Sequence, residues 1–395
     1  CSPICPRKRH RQDHLCLRTR WREMERAVGQ MLIVGFPGTR PNSSGVRNVR
    51  RLLRSGRISG VIIRGDNISS RAQLQALTKA LRGATDRSQP PLIGIDQEGG
   101  FVARLRPGNG HSAWSFSART VAQRCSVQQA ERLYAAMACE LAKAGVTMNF
   151  GPVVDVDVTG ARNPIIGRLR RSFSSSPRAV AAYAGAFIRA HRSYGIATVA
   201  KHFPGHGAST VDSHKTLARV PLWRPAELQP YRALMNLRGA VPDAVMVGHL
   251  YHEDFSERTT RGVPLPATLS PAAIRGLLRR KVGYTGVAMT DDLEMDGVRR
   301  GRTRIQVARA AVAAGNDLLL FNNSRPYRVD LAQRLHAVLM NDLARACPRL
   351  SPECTPVRRT LASAERIKAM RGAKPAGRRD RPSICPVRTL RTTCK

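Results

Sequence analysis

The sequence alternates short apolar runs with segments of helical periodicity, and this alternation constrains the fold more than any other feature of the chain. Short apolar runs bounded by turn residues are typical of buried strands. Eight such runs are Met31–Phe36, Gly60–Ile63, Leu92–Ile95, Thr147–Phe150, Ala197–Lys201, Ala244–Val247, Gly286–Met289 and Asp317–Phe321. The helical segments are Val46–Leu53, Arg71–Leu81, Val127–Ala144, Pro177–His191, Ala226–Leu237, Pro271–Arg280, Arg304–Ala314 and Arg328–Leu343. Eight strand–helix repeats predict an α/β fold, a parallel (β/α)8 barrel.

A doubly wound open sheet would show the same alternation, so the placement of polar residues decides between the two architectures. The residues Asp96, Lys201, His202, His249 and Asp291 all lie at the carboxyl ends of predicted strands. In a barrel these ends meet at one face, where the βα loops build a single site. An open sheet would carry a phosphate loop such as GxGxxG after its first strand, and this sequence has none there. We therefore predict one barrel domain over residues 26–370.

Charge and composition describe the remainder of the chain. Residues 1–25 and 371–395 lack a hydrophobic pattern and are rich in Arg, Pro and Cys, so we predict two flexible basic tails. The formal charge is +39, from 66 Lys and Arg against 27 Asp and Glu. The arginines are scattered, with neither zinc-finger spacing nor an RNA-binding signature, so we expect no specific nucleic-acid partner. Because no run approaches about 18 apolar residues, we expect no membrane span.

The nine cysteines include no CxxC pair, which argues against a structural zinc site or a thioredoxin-type motif. Cys125 and Cys139 lie in predicted helical sequence, and we expect them to be small buried hydrophobic residues. Cys347 and Cys354 could close a loop in an oxidising compartment. One candidate pair is poor support for secretion, and the arginine-rich start lacks an apolar segment of the secretory type. We therefore expect a cytoplasmic protein.

Three polar motifs follow predicted strands and hold the residues best suited to chemistry. The longest is Lys201-His-Phe-Pro-Gly-His-Gly207, followed by Asp212-Ser-His214. The others are Asp96-Gln-Glu-Gly-Gly100 and Thr290-Asp-Asp-Leu-Glu-Met295. Together they resemble the N-acetyl-β-glucosaminidases of glycoside hydrolase family 3, over about residues 29–321. The histidine segment is the specific signal, because it separates this branch from the family's β-glucosidases.

The resemblance implies a retaining glycosidase, which needs a nucleophile at the anomeric carbon and an acid near the leaving oxygen. The family nucleophile matches Asp291, while Asp292 is the structural rival that binds backbone or a neighbouring loop. The acid/base of this branch is a histidine, and it matches His214. Asp212 lies two residues away and is able to accept the imidazole N–H, fix its tautomer and stabilise the cation.

Five further residues match substrate-binding positions of the family: Asp96, Arg104, Arg171, Lys201 and His202. The segment 163–173 has two residues more than the family pattern NPxIGxRSF, which leaves its register open. Arg171 is the best match, and Arg168 and Arg170 are alternatives that would be solvated. Phe101 stands where the family usually has an arginine, and we assign it no role. The family needs no metal, so we expect neither a metal nor a cofactor.

The resemblance therefore implies an exo-acting β-N-acetylglucosaminidase that removes non-reducing terminal GlcNAc from peptidoglycan fragments during cell-wall recycling. We expect a carbohydrate substrate and a monomeric protein. One alternative is a phosphorylase of the same fold, because a neutral imidazole repels phosphate less than a carboxylate would. A second is a non-catalytic polyanion-binding protein that uses the charge of +39. A third is an inactive family member, which the tails and the two-residue insertion suggest.

Overall fold

The computed structural model describes residues 10–86, 89–111, 116–372, 385 and 393–394. The strands in these segments are β1 Leu32–Val34, β2 Gly60–Ile63, β3 Leu92–Ile95, β4 Met148–Asn149, β5 Ala197–Phe203, β6 Ala218–Arg219, β7 Ala244–Val247, β8 Leu250–Tyr251, β9 Val287–Asp292 and β10 Leu318–Phe321. Eight of them form a closed parallel barrel in the order β1-β2-β3-β4-β5-β7-β9-β10, and β10 pairs with β1. Strands β6 and β8 form a separate parallel pair. The predicted (β/α)8 barrel is confirmed.

Helices surround this barrel and connect its strands. The α-helices are α1 His10–Gln30, α2 Ser44–Arg54, α3 Arg71–Arg82, α4 Ala118–Arg124, α5 Val127–Lys143, α6 Pro177–Ser193, α7 Gln229–Asn236, α8 Asp296–Arg299, α9 Arg304–Ala314, α10 Leu331–Ala346 and α11 Thr355–Gly372. A π-helix spans Ala272–Lys281, and short 3-10 helices span Gly65–Asn67, Pro107–Asn109, Gly160–Arg162, Pro225–Leu228 and Ala267–Leu269. The N-termini of α3, α5 and α9 are set by capping boxes, in which the hydroxyls of Ser70, Ser126 and Thr303 each accept the backbone N–H of the residue three positions later.

Helix α11 closes the amino-terminal end of the barrel. Its residues Ile367 and Met370 are buried in the same apolar cluster as the inward-facing side chains of the barrel strands. Near that end, the hydroxyl of Ser363 donates to Asp317, which directly precedes β10. Burying each of these two apolar side chains contributes about 1.5–3 kcal/mol, which fixes α11 against the barrel.

Helix α1 crosses the predicted boundary at residue 25, so the prediction of a flexible tail over residues 1–25 is wrong from residue 10 onward. Met24, Ala27 and Val28 share one buried face of this helix, which packs on α10 and α11. Only the end of α1 carries this apolar pattern, and the charged residues before it conceal the helix in the sequence. Most of the predicted tail 371–395 lies outside the described residues.

Three disulfide bonds correct the interpretation of the cysteines. Cys125 and Cys139 are buried as expected, but they are bonded to Cys394 and Cys385 respectively. The prediction that they are simple hydrophobic residues is therefore wrong. Their partners are 269 and 246 residues away in sequence, so no local spacing reveals the pairs. The third bond joins Cys347 and Cys354, the pair that the sequence offered.

No helix of the described segments has the length and apolar character needed to cross a bilayer.

Candidate active site

A cleft of about 430 Å3 opens at the carboxyl ends of the barrel strands. This volume lies within the range of roughly 300–1,000 Å3 that is usual for small-ligand sites. The cleft brings together all eight residues that the sequence predicted for the site: Asp96, Arg104, Arg171, Lys201, His202, Asp212, His214 and Asp291. They lie at the ends of four barrel strands, β3, β4, β5 and β9, or in the loops that follow them, and closure of the barrel brings these to one face.

One buried carboxylate, Glu98, organises the cationic side of the cleft. Its two oxygens accept a bidentate pair of hydrogen bonds from Arg171, with both N···O distances 2.8 Å. The Nζ atom of Lys201 lies 2.7 Å from Glu98 and 3.0 Å from Asp96, and Arg104 lies 3.5 Å from Asp96. Burial acts to raise the pKa of Glu98, but its two cationic partners hold it well below its usual range. Glu98 therefore stays ionised and holds two predicted sugar-binding side chains in place.

His202 is oriented by a carboxylate from a neighbouring loop. Its Nδ1 atom lies 2.8 Å from Asp155, which also accepts the backbone N–H groups of His202 and His206. This contact directs the Nδ1 proton to Asp155 and leaves Nε2 for a ligand. Asp155 is fully buried, so it holds His202 away from solvent in a fixed orientation.

The adjacent carboxylates at the end of β9 have different surroundings. Asp292 accepts hydrogen bonds from the side-chain and backbone nitrogens of Asn322, and from the backbone N–H of Glu294. Burial raises the pKa of Asp292 to about 7. Burial also acts to raise the pKa of Asp291, but neighbouring imidazoles, led by His249, and one backbone N–H lower it to about 2. The two environments therefore differ in their effect: Asp291 stays ionised, and Asp292 is held by hydrogen bonds from Asn322 and from backbone.

The Asp212–His214 pair lies on the loop after β5. The Nδ1 atom of His214 lies 2.7 Å from Asp212, and the same carboxylate oxygen accepts the backbone N–H of His214. The side chain of His214 is 61% exposed, so it remains accessible to a ligand. Burial acts to raise the pKa of Asp212, and its hydrogen bonds from His214 outweigh that effect and lower it. This is the geometry in which a carboxylate fixes an imidazole tautomer.

Two contacts support the loop that carries this pair. The Nε2 atom of His206 lies 3.1 Å from the hydroxyl of Ser213, which explains a histidine that does not line the cleft. On the other side, the backbone N–H of Asp296 in α8 donates to the carbonyl of His214. A Cβ atom at Gly297 would lie 2.4 Å from the carbonyl oxygen of Ser213, so only glycine allows this approach.

The structure separates the three candidate arginines of the inserted segment. Arg171 lines the cleft and is buried, whereas Arg168 and Arg170 are exposed and line no part of it. Sequence reasoning assigned no part to Glu98 or His249. Glu98 is visible in the sequence as the second acidic residue of its motif. Its role is not visible, because its partners Arg171 and Lys201 are 73 and 103 residues away.

A parallel barrel whose carboxyl-end cleft holds an ionised aspartate, able to act as a nucleophile, together with an Asp–His pair, able to transfer a proton, has the groups that glycoside hydrolysis needs. The family model described as Glycosyl hydrolase family 3 N terminal domain matches residues 23–348. The chain belongs to glycoside hydrolase family 3.

Relatives and solved structures agree with this assignment. The chain is 36% identical to a Beta-hexosaminidase of Alkalilimnicola ehrlichii over 299 residues, 74% of this chain and 80% of the relative. It is 34% identical to a Beta-hexosaminidase of Stenotrophomonas maltophilia over 317 residues, 78% of this chain and 87% of the relative. A solved family 3 β-N-acetylglucosaminidase from Paenibacillus sp. str. FPU-7 has a TM-score of 0.76 at 30% identity. This chain spans 66% of that enzyme's length, and the likeness covers 93% of this chain.

Proposed function

We propose that this family 3 enzyme is a retaining exo-β-N-acetylglucosaminidase that releases terminal GlcNAc from peptidoglycan fragments. The observation that carries the proposal is the hydrogen-bonded Asp212–His214 pair in the same cleft as the ionised Asp291. Relatives named Beta-hexosaminidase support an N-acetyl sugar as the substrate. The peptidoglycan source rests on the resemblance of the histidine segment.

Three side chains share the steps of the reaction. Asp291 attacks the anomeric carbon and forms a glycosyl-enzyme while His214 protonates the leaving oxygen. Asp212 stabilises the imidazolium form of His214, which donates this proton and forms again when His214 deprotonates water. Water activated by His214 then releases the sugar with retained configuration. Asp292 takes no part, because its carboxylate is committed to Asn322 and to backbone.

The sugar-binding groups line the remainder of the cleft. Asp96 accepts hydrogen bonds from hydroxyls, and Lys201 and Arg171 donate them from positions fixed by Glu98. His202 donates or accepts through Nε2, since Asp155 occupies its other nitrogen. Fixed, charged groups of this kind orient a polar sugar better than mobile surface residues would.

A panel of aryl glycosides tests the proposal. Turnover of the aryl β-GlcNAc should clearly exceed that of the matching β-glucoside, and Asp291→Asn should remove both activities. Analysis of the first-formed sugar anomer by NMR should show β-GlcNAc, the retained product. Muropeptide fragments should then lose GlcNAc. Equal or better turnover of the β-glucoside would contradict the assignment as a β-N-acetylglucosaminidase.

A phosphorylase of the same fold is less well supported. Among the described residues, the cleft is lined by five carboxylates and four Lys or Arg side chains, so the lining has no excess of positive charge that would favour phosphate binding. Products formed with and without phosphate distinguish the two reactions. Appearance of a sugar phosphate would favour the phosphorylase.

We infer that the enzyme works in an oxidising compartment, in contrast to the cytoplasmic location favoured by its sequence. Three disulfides support this inference, because cytosolic thiols are kept reduced. Thiol labelling of the protein isolated from its native cells should find Cys139 and Cys125 blocked. Free thiols at both would restore the cytoplasmic interpretation.

A further inference from the structure

Phe101 is an exposed aromatic residue at the cleft. Its exposure of 70% is the largest among the bulky apolar side chains of the described residues, and it lines the cleft that contains Asp291. Leaving a phenyl ring in water forgoes most of the stabilisation that burial gives, so its placement at a ligand site calls for a partner. Ligand clefts are commonly lined by aromatic side chains, and Phe101 lines this one.

The turn that carries Phe101 has a backbone fixed by hydrogen bonds and by close packing. The carbonyl of Val102 accepts the backbone N–H groups of Glu98 and Gly99, and this closes a tight turn with Gly100 and Phe101 at its tip. Gly99 and Gly100 both have positive φ angles, of 101° and 59°, which glycine adopts without strain. The turn packs closely on the backbone of Phe116, since a Cβ atom at Gly99 would lie 2.6 Å from the carbonyl oxygen of Phe116.

The same turn is joined to the sugar-binding floor. Glu98, three residues before Phe101, binds both Lys201 and Arg171. The backbone that carries Phe101 is therefore joined to the groups proposed to hold the glycone.

The rim and the floor of the cleft differ in chemistry. Phe101 is 70% exposed and so lies at the rim, whereas the paired charges of Lys201 and Glu98 are more than 90% buried in the floor. A polar sugar suits the floor. A ring with an apolar face suits the rim, because the C–H faces of a pyranose or the face of an aryl group pack on an aromatic side chain.

We propose that Phe101 is the stacking platform of an aglycone subsite that takes a ring, either a pyranose or an aryl group, joined through the scissile bond. The proposal rests on the proposed glycosidase function. It makes Phe101 a specificity-determining residue: an uncharged ring favours aglycones by their apolar face and not by their charge.

Kinetics with two substrates test the subsite. We expect Phe101→Ala to lower kcat/KM for N,N′-diacetylchitobiose about three- to tenfold more than for methyl β-GlcNAc, whose aglycone has no ring. Phe101→Trp should keep the wild-type ratio. Val329→Ala is the matched control, since Val329 is also exposed, at 58%, and lies outside the cleft. Equal losses on both substrates, or no loss on chitobiose, would overturn the proposal.

Binding gives a readout that does not depend on turnover. In an Asp291→Asn background, calorimetry should show that Phe101→Ala weakens chitobiose binding more than methyl β-GlcNAc binding. If this binding preference is found but the wild-type protein hydrolyses neither sugar, the subsite is supported and the proposed glycosidase function is overturned. Binding of both sugars that is indifferent to Phe101 would overturn the subsite alone.

Discussion

Arg171 and Glu98 form a bidentate ion pair across 73 residues of sequence, with both N···O distances 2.8 Å. The same carboxylate binds Lys201 at 2.7 Å, so one acid positions two side chains that are candidates for binding the sugar. All three side chains are more than 90% buried, which means that the network is shielded from solvent screening.

Removal of the charge of Glu98 should damage both stability and activity. Glu98→Gln leaves Arg171 and Lys201 with unbalanced buried charge, so we expect the free energy of unfolding to fall by about 3–5 kcal/mol. KM for aryl β-GlcNAc should rise as the cations move. Glu131→Gln is the control, because its pair with Arg189 is about one-third exposed and should contribute less than about 1 kcal/mol. Urea unfolding measures both variants, and equal effects would contradict the assigned positioning role.

The two acids at the end of β9 should respond differently to neutralisation. Asp291→Asn should abolish detectable turnover with the fold intact, because a carboxamide is a poor nucleophile. Asp292→Asn should retain measurable activity and lose about 1–3 kcal/mol of stability, since its amide opposes the amide of Asn322. Mass spectrometry after trapping with a slow fluorinated substrate should locate the label on Asp291. A label on another carboxylate, with Asp291→Asn still active, would show that the nucleophile lies elsewhere.

The leaving group should decide how much His214 matters. His214→Ala should slow substrates with poor leaving groups far more than activated aryl glycosides, which need little proton assistance. Asp212→Asn should act in the same direction but more weakly, because the imidazole remains while its tautomer loses support. A plot of log kcat/KM against leaving-group pKa measures both. A uniform loss in His214→Ala would mark a positioning residue and move the search for the acid to His202.

Glu227 should make stability depend on pH. It is buried beneath the loop after β5, and burial, together with the charge of Asp155, raises its pKa to about 8. Since this folded pKa exceeds the ordinary 4.5, its contribution is fully present below about pH 4.5 and is lost as pH rises through 8. Between pH 5 and 8 the loss should be on the order of 3–5 kcal/mol. Glu227→Gln should flatten this dependence in urea unfolding, and parallel curves for variant and wild type would refute the shift.

The barrel strands were predictable because each is a run of consecutive apolar residues that ends at a turn or a polar motif. Gly60–Ile63, Leu92–Ile95 and Ala244–Val247 have the predicted bounds in the structure. Strand β9 runs three residues beyond its predicted end, since Asp291 and Asp292 continue the ladder after the apolar residues stop. Polar residues at a strand end give no periodic signal, and only pairing with neighbouring strands reveals them.

The N-terminal helix and the long-range disulfides lay beyond sequence reasoning for a common reason. Helix α1 gains its stability from packing on α10 and α11, and its own sequence is strongly polar. The Cys139–Cys385 bond joins residues that are 246 positions apart. Both features depend on contacts between distant segments, and neither leaves a pattern within a local window.

The sequence by itself determined the barrel, through eight repeats of strand and helix, and it identified the polar residues at the strand ends. Their types and local spacing were enough to bring Asp212 beside His214, because two residues on one loop lie within hydrogen-bonding reach. Only the tertiary structure decided that Glu98 binds Arg171 and Lys201. Chain closure brings these groups within 3 Å, and burial then forces every charge among them to find a partner.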